Sequence, residues 1–146
     1  MGPTQEILPA VAAAIFNDKG EMLLQKRRDV NKWCIISGHV EFGETVEHAL
    51  LREIMEETNA KARIIRFIGL YSSPDWQVYH YPERTVQYIT SYFEARLTES
   101  IAEGFMNEET EALRFFPVGR LPVDMALINP NWLTDALSRE GIPFVR

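Results

Sequence analysis

The chain has 146 residues, 46% of them apolar and 25% charged, with a net charge of −6. That length suits one domain, residues 1–146, with its own core, and the composition is that of a globular protein, not a disordered or fibrous one. The acidic balance argues against a binder of nucleic-acid polymers, which carries a basic stripe, and no apolar run approaches the ~20 residues that span a bilayer.

Met1 to Glu6 lack the charged and apolar regions of a signal peptide. Ile7 to Phe16 read as a strand, Asn17-Asp18-Lys19-Gly20 as a turn, and Glu21 to Lys26 as a return strand, so a hairpin is expected. Arg27 to Lys32 is a polar loop, and Trp33 to Ile36 a short apolar strand. It contains Cys34, the only cysteine, expected as a buried structural thiol in a reducing, cytoplasmic setting. The loop Gly38 to Glu44 leads into a helix, Val46 to Thr58. Thr45 is placed to cap its start, and Asn59, which tolerates the left-handed conformation, to end it. Leu51, Ile54 and Met55 are expected on the inward side.

Ala62 to Tyr71 is strand-like, with Arg63 and Arg66 on a solvated face. Ser72 to Arg84 reads as a loop, of a length that is usually functional in compact domains. Thr85 to Leu97 is rich in β-branched and aromatic residues and reads as a strand. A polar loop through Glu109 precedes another strand, Ala112 to Phe116. Asn129 as a cap and Pro130 at the first helical position are expected to open a helix running to about Glu140, ended by Gly141. Strands outnumber helices without regular βαβ alternation, which indicates an α+β domain with a mixed sheet.

The helix from Val46 carries the chemistry. At roughly 100° per residue, Glu53, Glu56 and Glu57 share about a 100° arc of one face. Such carboxylates repel each other unless a cation sits among them, and hard divalent ions such as Mg²⁺ bind through a few carboxylates plus substrate phosphates. For an isolated Glu-Glu pair, a solvated acidic face is the plainer reading. Arg52 stands four residues before Glu56, at ion-pairing spacing, and Glu44 can fix Arg52 or Glu53 from the preceding loop. Arg27 and Arg28 either fork onto phosphates or line a solvated loop. Trp76, Tyr79 and Tyr81 either stack on a base or ribose, worth ~1–3 kcal/mol per base, or pack at a loop or homodimer contact. His39, His48 and His80 lack metal-ligand spacing.

The segment Gly38 to Ala60 resembles the signature of the Nudix hydrolases: Gly38, Glu44, Arg52, Glu53, Ile54, Glu56 and Glu57 at the family's spacing. Asn59 stands where the family has glycine, and Ala60 where it has a larger aliphatic residue. Trp33-Cys34-Ile35-Ile36-Ser37-Gly38 lacks the proline and first glycine that often precede the signature. The likeness runs from about Ala10 to Pro122. Gly69 to Asp75 and Tyr81-Pro82 are similar to an ADP-ribose pyrophosphatase-like subgroup, with Glu83-Arg84 replacing its glycine turn.

The resemblance implies a Nudix α/β/α sandwich and Mg²⁺-dependent cleavage, with Mn²⁺ as a substitute, of a phosphoanhydride bond. The implied substrate is a nucleoside diphosphate linked to another group, of ADP-ribose or NDP-sugar type. A (d)NTP pyrophosphohydrolase is the alternative; an idle Nudix-like domain that senses a nucleotide or binds a partner is the alternative of another class, disfavoured because every signature carboxylate is kept. The implied metal ligands are Glu53, Glu56, Glu57 and the Gly38 carbonyl, with Glu53 as ligand or base. Glu109, in the acidic stretch Glu108 to Glu111, matches the region where some members supply a late carboxylate. The expected partner is a small nucleotide, not a nucleic-acid polymer or a membrane.

Overall fold

The computed structural model describes residues 4–146. Its hub is strand β1 (Thr4–Ile15). Val11, Ala13 and Ile15 point into one core, and Ala12 and Ala14 into another, the alternation of a strand covered on both faces. The small Ala12 and Ala14 leave room for Trp33, Tyr71, Tyr92 and Trp132 in the second core, so volume is matched across the strand.

Strand β1 pairs antiparallel with β4 (Ile36–His39) and parallel with β7 (Arg84–Leu97). Beyond β7 lie β5 (Ala62–Tyr71), antiparallel, and β9 (Phe144–Val145), parallel to β5. The order is β4-β1-β7-β5-β9, with β6 (Val78–His80) also on β7. A smaller antiparallel sheet holds β3 (Lys32–Cys34), β2 (Met22–Arg27) and β8 (Thr110–Phe116). Helix α1 (Val46–Thr58) packs into the first core through Ala49, Leu50 and Ile54, and α3 (Trp132–Leu137) into the second through Trp132 and Ala136. A short helix α2 (Pro74–Gln77) precedes β6. The result is the α+β, mixed-sheet sandwich with helices on both faces.

Several local expectations change. The turn at Asn17–Gly20 forms, with Asn17 Oδ1 accepting from the Lys19 and Glu21 amides, but no ladder pairs β1 with β2 among the described residues, and the isolated bridge Phe16–Met22 stands in its place. Both edges of β1 are taken by β4 and β7, so the turn passes the chain from one sheet to the other. The expected strand Trp33–Ile36 divides between the sheets for the same reason, and Cys34 is half-buried there rather than in a core. The Ser72–Arg84 segment contains α2 and β6. In α1, Ile54 is buried as expected, but Ala49 and Leu50 join it in the core while Leu51 and Met55 stay partly exposed. Asn129 does not cap α3: it is buried and its Oδ1 accepts from Asn131, and the helix runs only from Trp132 to Leu137.

Polar contacts seat α3 on the sheet. The Tyr92 hydroxyl donates to the Trp132 carbonyl (3.0 Å), and Arg66 Nη2 to the Ala136 carbonyl (2.6 Å). Asp135 is buried and accepts from the Tyr71 hydroxyl and from Arg146 Nε and Nη2 at 2.9 and 2.7 Å. Burial pushes the Asp135 carboxyl up, but the Arg146 fork and the Tyr71 hydroxyl outweigh it and hold it below the ordinary value. A folded value below the unfolded one, about 3.9, stabilises the fold above that pH, and the contribution is lost as pH falls through the folded value. The melting temperature is therefore expected to drop on acidification below about pH 4, and to drop less in Asp135→Asn. Calorimetry at a series of acidic pH values checks this; equal acid sensitivity in the two proteins would remove Asp135 from the account.

Candidate active site

Helix α1 is held at both ends by its own residues. Thr45 Oγ1 accepts from the His48 amide (3.1 Å), and Asn59 adopts φ 53°, its amide donating to the Met55 carbonyl (2.8 Å). Asparagine thus serves where glycine would be the usual residue.

Arg52 organises the entrance to the helix. Its Nε and Nη2 fork onto Glu44 at 2.7 and 2.9 Å, Nη1 reaches Glu53 (3.0 Å) and Glu56 (3.2 Å), and Nη2 also donates to the His39 carbonyl (2.9 Å). The Arg52 fork and the Glu41 amide hold the Glu44 carboxyl down at about 2. Glu44 is thus a fixed anion that orients Arg52.

Glu53 lies against the backbone of Gly38. A methyl group on Gly38 would stand 2.0 Å from the Glu53 Cδ and 2.3 Å from its Oε1, so the absent side chain is the space the carboxylate fills. Burial pushes Glu53 up, Arg52 opposes this, and the charges of Glu56 and Glu109 add to it.

Glu57, on the carboxylate arc expected from its spacing, is buried and not on the helix's exposed side. Its Oε2 accepts from Gln25 Nε2 and from Thr110 Oγ1 (3.2 Å). Burial and the facing Glu109 carboxyl raise it to about 7, with Gln25 opposing. Gln25 and Thr110 were not singled out from sequence. The available signal was Gln25 as the one uncharged polar residue following the apolar run Met22–Leu24.

Glu53, Glu56, Glu57 and Glu109 therefore crowd one region, with Arg52, among these four, paired to Glu53 and Glu56 only. Among the described residues, no three His, Cys, Asp or Glu side chains are drawn together tightly enough to cage a metal ion. Glu53 and Glu56 turn to Arg52, and Glu57 to Gln25 and Thr110. The donor set nevertheless fits a hard divalent cation: oxygen atoms only, an excess of negative charge, two carboxyls raised by burial and mutual repulsion, and a backbone cradle at Gly38.

Beside this region stands an aromatic wall. His39 stacks on Tyr88 (centroids 5.2 Å apart, planes at 18°), and its Nε2 lies 3.1 Å from the Tyr88 hydroxyl. That hydroxyl is 3.0 Å from the Tyr81 hydroxyl, Tyr79 meets Tyr88 edge-on, and the Arg84 guanidinium lies over Tyr81. Burial lowers His39, as do the charges of Arg84, Arg27 and Arg52. Tyr79, Tyr81 and Arg27 are thus brought to the site, joined by His39, Tyr88 and Arg84. Arg27 Nε and Nη2 are engaged by Asp29. Arg28 is turned away to the Asn107 carbonyl (2.8 Å), and the stacked and edge-on ring pairs of the wall join His39, Tyr79 and Tyr88 without Trp76, which lies on α2. A cavity of about 770 Å³ lies between the 96–106 segment and β8 and contains none of the four carboxylates. Chemistry, not volume, locates the site.

An acidic helix face beside a wall of tyrosines and arginines thus lies on the α+β sandwich. The chain belongs to the Nudix hydrolase family: residues 6–136 match the model of the NUDIX domain. It is 34% identical over 113 residues to a putative 8-oxo-dGTP diphosphatase of Bacillus subtilis, covering 76% of this chain and 67% of that one. It is 42% identical over 71 residues to an ADP-ribose pyrophosphatase of Methanocaldococcus jannaschii, covering 46% of this chain but only 42% of that one. A crystal structure of an ADP-ribose pyrophosphatase from Streptococcus suis superposes with a TM-score of 0.73, at 22% identity, over 95% of this chain and 97% of that one. No described helix is long and apolar enough to cross a membrane.

Proposed function

We propose that this Nudix pyrophosphohydrolase cleaves a phosphoanhydride bond in a nucleoside diphosphate linked to another group, of ADP-ribose or NDP-sugar type, with Mg²⁺ as cofactor and Mn²⁺ as its substitute. The observation that carries the reading is the crowding of Glu53, Glu56, Glu57 and Glu109 beside the His39–Tyr88–Tyr81 wall. A charge-dense diphosphate and an aromatic base thereby have adjoining, chemically distinct neighbours.

Glu53, Glu56, Glu57 and the Gly38 carbonyl would hold the cation. When bound, it supplies positive charge to the phosphoryl oxygens and acidity to a coordinated water. The protein's own share is positioning. Arg52, fixed by Glu44, keeps Glu53 and Glu56 in line. Gln25 and Thr110 hold one oxygen of Glu57. Glu53 or Glu109 accepts the proton of the attacking water. Tyr79 and Tyr81 offer ring faces to the base or ribose, and Arg27 and Arg84 offer charge to the distal phosphate side.

The Bacillus relative, matched over the larger share of the chain, favours a second reading: a (d)NTP split into a monophosphate and pyrophosphate. Product identification separates the two. With ADP-ribose and Mg²⁺ we expect AMP and ribose 5-phosphate, resolved by ion-exchange chromatography. Turnover of (d)NTPs alone, with pyrophosphate released, would replace the first reading by the second.

A further inference from the structure

Strand β7 ends at Leu97 and β8 begins at Thr110, and most of the connection between them is exposed. A connection of that kind, left to itself, would spread a terminal carboxylate such as Glu109 over many positions. One residue in it makes contacts out of proportion to its size. Asn107 Oδ1 accepts from the amides of Glu109 (2.9 Å) and Thr110 (2.7 Å), and its own amide donates to the Thr110 carbonyl (3.0 Å). Its Nδ2 donates to the carbonyl of Glu56 (2.9 Å), in the last turn of α1. Arg28 braces the same turn from outside, its amide donating to the Glu109 carbonyl (3.0 Å) and its Nε to the Asn107 carbonyl (2.8 Å).

The end of α1 explains why the contact is available. The last carbonyls of a helix lack intrahelical partners. Here that of Met55 takes the Asn59 amide, that of Glu56 takes Asn107 Nδ2, and that of Glu57 shares the one Thr110 hydroxyl proton (3.1 Å) with its own carboxylate. The loop after β7 thus completes the hydrogen bonding of the carboxylate helix.

We propose that Asn107 is a positioning residue: it clamps the Glu109 turn to the last turn of α1 and so holds Glu109 beside Glu57. This rests on the pyrophosphohydrolase reading of the site. Only a short side chain with an acceptor and a donor on one carbon can join two amides below to a carbonyl above. Aspartate supplies the acceptors but no donor, and alanine supplies neither. Arg28 serves the clamp and not the substrate.

The test is a double-mutant cycle combined with amide exchange. In the metal-free protein, Asn107→Ala is expected to speed hydrogen–deuterium exchange at the Glu109 and Thr110 amides at least about tenfold, with Asn107→Asp in between and the middle of α1 unchanged. With Mg²⁺ and substrate, Asn107→Ala should lower kcat about 10- to 100-fold, with KM held within about twofold. In a Glu109→Gln background the same substitution should cost almost nothing, because it acts through Glu109. Unchanged exchange at Glu109, a silent Glu109→Gln, or an equal loss in both backgrounds would each overturn the proposal. If Glu57→Gln retained full activity, the reading of the site itself would fall, whatever the cycle gave.

Discussion

Glu57→Gln is expected to lower kcat roughly 100-fold, a loss of about 3 kcal/mol of transition-state stabilisation, while leaving the fold intact. Glu57 is buried and sits against Glu109, which raises its carboxyl to about 7, so in the metal-free protein its charge is a liability. A glutamine keeps an oxygen for Gln25 Nε2 and Thr110 Oγ1 and adds a donor toward Glu109. The metal-free variant should therefore melt no lower than the parent. Bound Mg²⁺ stabilises a native state that holds it, so the parent should gain melting temperature with Mg²⁺ and the variant should gain little. Calorimetry with and without Mg²⁺, alongside steady-state kinetics, reads both effects. Full turnover in the variant would end the assignment of Glu57 as a ligand.

Gly38→Ala should be nearly as damaging to activity, by a different route. The backbone at Gly38 is outside the left-handed region, so alanine brings no strain of its own. The conflict is spatial: the new methyl would stand 2.0 Å from Glu53 Cδ. A glutamate end is flexible and will yield, so the cost in stability should be small. The carboxylate, however, must leave its place, and misplacement by about 1 Å at a reacting centre can cost roughly 100-fold in rate. We expect kcat to fall on that scale, and the loss to shrink in a Glu53→Gln background, where the displaced group no longer carries its charge. Wild-type activity in Gly38→Ala would show that Glu53 need not lie against this backbone.

The features legible in sequence are those set by neighbours along the chain. Helix α1, its Thr45 cap and its Asn59 ending follow from local spacing and backbone preference, and the bounds Val46–Thr58 hold. The spacing of Arg52 and Glu56 announces their ion pair for the same reason. Strand β5 is likewise read over its full span, because its pattern is internal to it.

What failed depends on partners distant in sequence. The turn at Asn17–Gly20 looks the same whether it closes a hairpin or hands the chain to another sheet. Only the occupation of both edges of β1 by β4 and β7 decides between them. The helix expected from Asn129 begins only at Trp132, since Asn129 is buried and bonded to Asn131. Arg28 and Asn107 stand far apart in the chain and meet in space, so nothing local marks either as part of one clamp.

The sequence by itself determined the acidic helix, and its resemblance to the Nudix signature pointed to the family that the NUDIX domain model matches. Those properties live in one short segment, where covalent geometry fixes which side chains share a face. The tertiary structure decided that Glu57 is buried against Gln25 and Thr110, that Glu109 is held beside it, and that His39, Tyr81 and Tyr88 form one wall. Burial and charge proximity are set by strands that pair across long loops, and no local pattern encodes them.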